Sequence, residues 1–197
     1  RVIIMNNPLI SIIIPSYNSE EHIKNTINSI LQQTYDNYEL IIQDSLSDDN
    51  TINIINSYSD PRIKLFIEKD NGINHAFYNG LIKSKGDYIM FMPFSDEYVE
   101  NNWFQICINI LEKNERISLV HGNDIKKFEN GEYTSIRFPE FEKKRMPSGT
   151  DFLSYWFATN YHISELNYCV RRKVYFDCMP VYKYYKYDEK YIENGKI

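Results

Sequence analysis

The sequence predicts an α/β domain built on a mostly parallel sheet covered on both faces. Three observations carry that reading. Four largely apolar runs, the first of them mostly β-branched, recur between residues 10 and 92. Each is followed by a polar turn and then by apolar residues at helical spacing. The connections are short, and the runs are too continuously apolar for strands with one face in water.

The first unit spans Leu9 to Gln33. Ile10 to Ile14, broken only by Ser11, is a buried strand, and Pro15 is expected to stop it because proline cannot donate to a ladder. Asn18 and Ser19 are cap formers, with Glu21 at the third helical position if Asn18 is the cap. Ile23, Ile27, Ile30 and Leu31 then give one apolar stripe. Tyr38 to Gln43 is a second strand, followed by the turn Asp44 to Asn50 and a helix carrying Ile52, Ile55 and Tyr58. Asp60-Pro61 breaks that helix. Ile63 to Glu68 is a third strand, Lys69 to Gly72 a turn, and Ile73, Ala76, Phe77, Gly80 and Leu81 a helical stripe ended by Gly86. Tyr88 to Met92 is the most apolar strand, and Pro93 to Glu97 follows it. Trp103, Ile106, Ile110 and Leu111 mark a longer helix, and Ser118 to His121 a short strand.

The pattern changes beyond Gly122. Asn130-Gly131 between two β-prone runs predicts a hairpin over residues 125–138. Residues 139–149 read as a loop, 151–158 as a helix, Tyr168 to Val174 as a strand and 180–197 as a segment without a clean period. The expected organisation is an α/β half over residues 1–123 and a smaller hairpin and helical region over 124–197 of the same domain.

Composition narrows the function. A net charge of −5 argues against broad nucleic-acid binding, which needs clustered Lys and Arg. The three cysteines are scattered and odd in number, so they form neither a disulfide framework nor a zinc pattern. No apolar run reaches the ~20 residues that span a bilayer, and Arg1 to Met5 is too short for a signal-peptide core. The chain therefore reads as cytoplasmic, a location compatible with peripheral association at the inner face of a membrane.

Three polar turns follow three of the strands: Pro15 to Asn18, Asp44 to Asn50, and Pro93 to Glu97. Parallel strands place all three on one edge of the sheet, where ligands bind in open α/β folds. The Asp44 carboxylate can accept from a base N–H or a ribose hydroxyl, Tyr17 can stack on a base, and Asp96 can meet a divalent cation. The competing role for Asp44, Asp48 and Asp96 is helix capping. No Gly-x-Gly-x-x-Gly, P-loop or Gly-x-Ser-x-Gly pattern occurs. His162 and Glu165 lie three apart, a spacing open to a metal or acid/base pair.

Two stretches, PLISIIIPSYNSEEHIKNTINSILQQTYDNYELIIQDSLSDDNT and EKDNGINHAFYNGLIKSKGDYIMFMPFSDEY, resemble a family 2 glycosyltransferase of the GT-A fold in both order and spacing. The resemblance covers most of residues 8–98 and fades after Asn123, apart from the hairpin and CVRRKVY. It implies an inverting enzyme that moves a sugar from a nucleotide-diphosphate sugar to a glycan or lipid-linked acceptor, in polysaccharide or glycoconjugate synthesis. Carried over by position, Pro15, Tyr17 and Asn18 would line the nucleotide pocket and Asp44 would contact the base. Asp70, Gly72 and Asn79 would lie along the phosphates and sugar. The family's acidic metal motif falls at Pro93-Phe94-Ser95-Asp96. Asp96 keeps the carboxylate that would hold Mn²⁺ or Mg²⁺, Ser95 stands where another is usual, and Glu97 is a substitute. The general base would be a later carboxylate: Glu165, Asp177, Asp188 or Glu189. Tyr187 to Tyr191 resembles a family segment just before that base, and the chain ends at Ile197, about where the base would fall, as a fragment would. The alternative for Asp188 and Glu189 is a solvated charged tail. Arg171 and Arg172 would meet phosphates or form a solvated strand end. The rival to an active enzyme is a catalytically impaired GT-A module that binds nucleotide or glycan, or serves as a partner domain.

Overall fold

The computed structural model describes residues 7–122, 124–127, 133–136 and 167–178. Its elements are β1 (Ile10–Ser16), α1 (Ile23–Leu31), β2 (Tyr38–Asp44), α2 (Thr51–Asn56), β3 (Ile63–Ile67), α3 (Ile73–Lys83), β4 (Tyr88–Phe91) and α4 (Trp103–Lys113). β5 (Leu119–His121), β6 (Asp124–Lys127), β7 (Tyr133–Ile136), β8 (Tyr168–Arg171) and α5 (Arg172–Cys178) follow. Six strands form one sheet in the order β3-β2-β1-β4-β8-β5, and β6 and β7 pair antiparallel as a separate ribbon. β3, β2, β1 and β4 run parallel, and β8 runs against both β4 and β5.

The sheet is covered on both faces, as the continuous apolar runs require. Ile10, Ile12 and Ile14 alternate toward a large cluster with Ile23, Ile27 and Ile30 of α1 and Phe104, Cys107 and Leu111 of α4. Ile13, Ile89, Phe91 and Val170 face the other way, toward Leu81 of α3. Gly80 is where α3 lies against the sheet: a Cβ there would run into the Ile13 side chain.

Three boundaries depart from expectation. β1 does not stop at Pro15 but continues to Ser16, with Pro15 opposite Gln43. Ile13 accepts from Met92 on the β4 side, so Pro15, two residues on, turns its missing N–H to that side, where the paired register of β4 has ended. α1 starts at Ile23 rather than next to Asn18, and the Ser19 carbonyl receives the His22 and Ile23 N–H groups. β8 ends at Arg171, opposite the first residue of β4, and the chain turns into α5 where Val174 was expected to be strand.

Candidate functional site

Because β1, β2, β3 and β4 are parallel, the segments leaving their carboxyl ends share one edge of the sheet. A cavity of about 310 Å³ opens there. β1 and its turn supply Pro15, Ser16 and Tyr17, the β2 turn supplies Ser45, and the segment after β4 supplies Phe94. Asp70 and Gly72 of the β3–α3 turn, with Ile73 and Ala76 of α3, complete the wall. Most of these surfaces are apolar, which suits a flat ring more than a bare sugar. Tyr17 is 57% exposed, so its ring is available for stacking. Gly72 has φ 108° and stands at the head of α3 without a side-chain cap. The Asp70 carboxylate accepts the Gly72 N–H at 2.8 Å, which shapes the turn against the cavity.

The β1 and β2 turns are bound into one body. Ser45 N–H donates to the Ser16 carbonyl at 2.9 Å, and Asn18 N–H to Ser47 Oγ at 2.9 Å. The Asn18 side chain donates to Asp48 Oδ1 and accepts the Asp48 N–H. Ser19 N–H donates to Thr51 Oγ1 and Glu20 N–H to Asp49 Oδ2, while Glu20 Oε2 accepts the Asn50 N–H. Asp44 is fully buried, and its two oxygens accept the Ser47 N–H (2.8 Å) and hydroxyl (2.6 Å).

Of the residues singled out from sequence, Pro15, Tyr17, Asp70 and Gly72 line the cavity. Asn18 and Asp44 stand behind it and hold its turns in place. Asp44 and Asp48 are not helix caps: Asp44 folds onto its own turn and Asp48 onto Asn18, whereas Asp49 receives the Thr51 N–H at the start of α2. Ser95 and Asp96 directly follow Phe94 at the rim, both exposed, and Asp96 N–H donates to the Pro93 carbonyl. Asn79 lies half-buried farther along α3, outside the cavity wall. Glu165, Asp188 and Glu189 lie outside the described residues. Ser45 and Phe94 were read only as members of their turns, and Ile73 and Ala76 only as part of the helical stripe; none was singled out as a cavity residue.

Arg171 and Arg172 belong elsewhere. β8 runs antiparallel to β4 and delivers Arg171 and Arg172 to the amino edge, away from the cavity, whereas α5 turns back and packs Tyr175 on Phe91, the last residue of β4. Arg171 spends its guanidinium on the carbonyls of Ile117 and Leu111 and on the Tyr88 hydroxyl, clamping the end of α4. Arg172 donates to Ser84 Oγ, and Asp177 pairs with Lys173. Neither arginine is placed to serve a reaction at the carboxyl edge.

A divalent cation finds a sparse donor set. Among the described residues no group of three His, Cys, Asp or Glu is arranged to hold one. After β4, Pro93 and Phe94 bring no side-chain oxygen, Ser95 brings a neutral hydroxyl, and Asp96 brings the first carboxylate. With Glu97 directly after it, this short acidic pair does not form a dedicated cage. It fits a cation whose other ligands are water and the oxygens of a bound diphosphate.

Comparison with known proteins places this geometry. The family model described as glycosyl transferase family 2 matches residues 11–179. An uncharacterized glycosyltransferase of Haemophilus influenzae is 43% identical over 122 residues, covering 60% of this chain and 48% of that protein. The Escherichia coli UDP-Glc:alpha-D-GlcNAc-diphosphoundecaprenol beta-1,3-glucosyltransferase WfgD is 39% identical over 120 residues, covering 60% and 47%. The chain thus spans about half the length of these relatives. Among solved structures, S. aureus TarS 1-349 in complex with UDP-GlcNAc matches with a TM-score of 0.63 at 20% identity, over 86% of this chain and 47% of that one. The Pyrobaculum calidifontis mannosyltransferase PcManGT, in complex with GDP-Man and Mn²⁺, matches with a TM-score of 0.53 at 21% identity, over 58% and 35%. The six-stranded mixed sheet with its flanking helices is accordingly a GT-A-like fold. A family-model match over residues 11–179, most of the sequence, means that the chain belongs to glycosyl transferase family 2.

Proposed function

We propose that the carboxyl-edge cavity holds the nucleotide of a nucleotide-diphosphate sugar, and that the chain is the donor-binding part of an inverting hexosyl- or N-acetylhexosaminyl-transferase. The observation behind this reading is the convergence of the β1, β2, β3 and β4 segments on one largely apolar cavity that reaches the head of α3. Tyr17, Pro15 and Phe94 offer ring-sized surfaces for a base. The first N–H groups of α3 favour the negative phosphates. UDP-GlcNAc and GDP-Man are bound by the fold neighbours, so either nucleotide class is a reasonable first probe.

In such a transfer an acceptor hydroxyl attacks the anomeric carbon, the diphosphate leaves, and a carboxylate within hydrogen-bond reach takes the hydroxyl proton. Glu165, Asp188 and Glu189 are the candidates for that base, and residues 124–197 are the proposed acceptor side. Asp96, with the diphosphate oxygens, would hold a Mn²⁺ or Mg²⁺ ion, which when bound offsets charge on the leaving group. The acceptor is a glycan or a lipid-linked sugar; WfgD, by its name, acts on a diphosphoundecaprenol-linked GlcNAc. No helix among the described residues is long and apolar enough to cross a membrane. The proposed location is the cytoplasm, with access to the membrane's inner face.

Isothermal titration with UDP, GDP and their sugars, with and without Mn²⁺, tests the reading. Saturable binding of at least one supports it, and no binding of any refutes it. One observation favours a second reading, a nucleotide- or glycan-binding module without turnover: Phe94 and Ser95 stand ahead of Asp96 in the β4 turn, where the acidic cluster is eroded. Donor hydrolysis or transfer lost in Asp96→Ala supports the enzyme. Binding without turnover across varied acceptors supports the module.

A further inference from the structure

Leu46 occupies a position that suits neither its residue type nor its exposure. Its φ is 58°, in the left-handed region that glycine and asparagine populate readily and a leucine resists. The cause is local. The buried Asp44 carboxylate draws in both the N–H and the hydroxyl of Ser47, and this tight loop forces the intervening chain through a left-handed residue. Glycine or asparagine would satisfy the same loop without strain. Burial does not compensate, because Leu46 is 52% exposed.

A bulky apolar side chain held in a disfavoured conformation, exposed to water and next in sequence to a cavity residue, is arranged for a ligand. Ser45, directly before it, lines the cavity. The Ser45 N–H bonds to the Ser16 carbonyl, so residues 45–46 run beside residues 16–17, where exposed Tyr17 forms part of the wall. We propose that Leu46 is a specificity-determining contact for the nucleobase, its side chain covering one part of the ring while Tyr17 covers another. The proposal rests on the reading of the cavity as a nucleotide site and adds a residue to it.

Binding of UDP and GDP to the full chain, measured by titration calorimetry beside thermal unfolding, tests this. Leu46→Asn and Leu46→Gly remove the apolar contact and relieve the backbone. Leu46→Met keeps both contact and strain. Asn and Gly should weaken the better-bound nucleotide about five- to tenfold and raise Tm by about 2–4 °C. The Met variant should stay within twofold of the parent in affinity. Affinity within twofold of the parent in both Asn and Gly variants overturns the proposal, and so does a Met variant as weak as Asn. A fall in Tm for both Asn and Gly overturns the strain argument on which it stands. If the parent chain binds neither UDP nor GDP, the nucleotide reading itself fails, and the role of Leu46 fails with it.

Discussion

Asn18 and Asp48 hydrogen-bond each other reciprocally: Asn18 Nδ2 donates to Asp48 Oδ1 at 2.8 Å, and the Asp48 N–H donates to Asn18 Oδ1 at 3.0 Å. They lie 30 residues apart and follow different strands. The pair locks the β1 and β2 turns in register, so the cavity walls carrying Tyr17 and Ser45 are fixed relative to each other before any ligand arrives. Such preorganisation lowers the ordering cost of binding.

Asn18→Ala should therefore be costly for an exposed position. It removes both hydrogen bonds and puts alanine at φ 45°, where asparagine is tolerated. Two exposed bonds and the backbone penalty together amount to about 2 kcal/mol. For a chain of this size that is a fall in Tm of roughly 4–8 °C. Urea denaturation and calorimetry would measure it. A change under about 0.5 kcal/mol, the range of ordinary surface substitutions, would mean that the turns are held by their other contacts.

Gly80 tests the helix-to-sheet packing. Its Cα faces Ile13 and Ile41, and an added Cβ would strike the Ile13 side chain, itself fully buried in the central strand. Alanine normally stabilises a helix interior by up to about 1 kcal/mol. Here overpacking of about 1–3 kcal/mol should outweigh that gain. Gly80→Ala is expected to unfold at lower urea concentration, and a stabilised variant would show that α3 can lift off the sheet without cost.

How much of this was legible in advance follows from what each residue answers to. Strand and helix identities from Ile10 to His121 could be read because burial on both faces imposes long apolar runs and helical stripes. The cavity's edge was legible for the same reason, since parallel direction sends every turn to one side. The ends of elements were not. Pro15 stays in β1 because of where β4 stops, and Arg171 leaves the sheet for a similar reason. Asp44 looked like a ligand contact from its position after β2. Its burial and its capture by Ser47 depend on a loop conformation that residue type alone does not specify. Leu46 escaped notice because leucine carries no signal for a left-handed turn.

Acid should weaken the fold through Glu39. This carboxylate is buried at the amino edge, where it accepts from Lys64 Nζ (2.5 Å), Ser11 Oγ (2.6 Å) and the Lys85 N–H (2.6 Å). Burial alone would raise its pKa, but these three donors outweigh it and hold the group below its ordinary value of 4.5. A carboxyl depressed on folding contributes stability above its unfolded pKa and loses that contribution as pH falls through its folded pKa. This contribution should be level from pH 7 to about 5 and should decline below 4.5. Glu39→Gln should cost about 1–3 kcal/mol at neutral pH, the range for losing a charged hydrogen-bond partner, and should flatten the decline. Urea midpoints from pH 3 to 7 would show it. An equally steep decline in parent and variant would place the acid sensitivity on other carboxyls.

The sparse donor set after β4 makes a prediction that a complete metal motif would not. With Asp96 as the carboxylate beside Ser95, cation affinity should depend on the nucleotide, because the diphosphate must supply most of the hard oxygens. Manganese alone should bind weakly, and addition of UDP or GDP should tighten it at least tenfold, read by loss of the free-ion electron paramagnetic resonance signal. Ser95→Asp adds a further carboxylate, directly before Asp96, at an exposed position, so the fold should be indifferent to it. It should strengthen Mn²⁺ binding about tenfold or more even before nucleotide is added, since charge count is a main lever on affinity for hard cations. Asp96→Ala should abolish the nucleotide-dependent component. If Mn²⁺ binds equally with and without nucleotide, and Asp96→Ala leaves it unchanged, the cation is held by residues outside this turn and Ser95 has no part in its affinity.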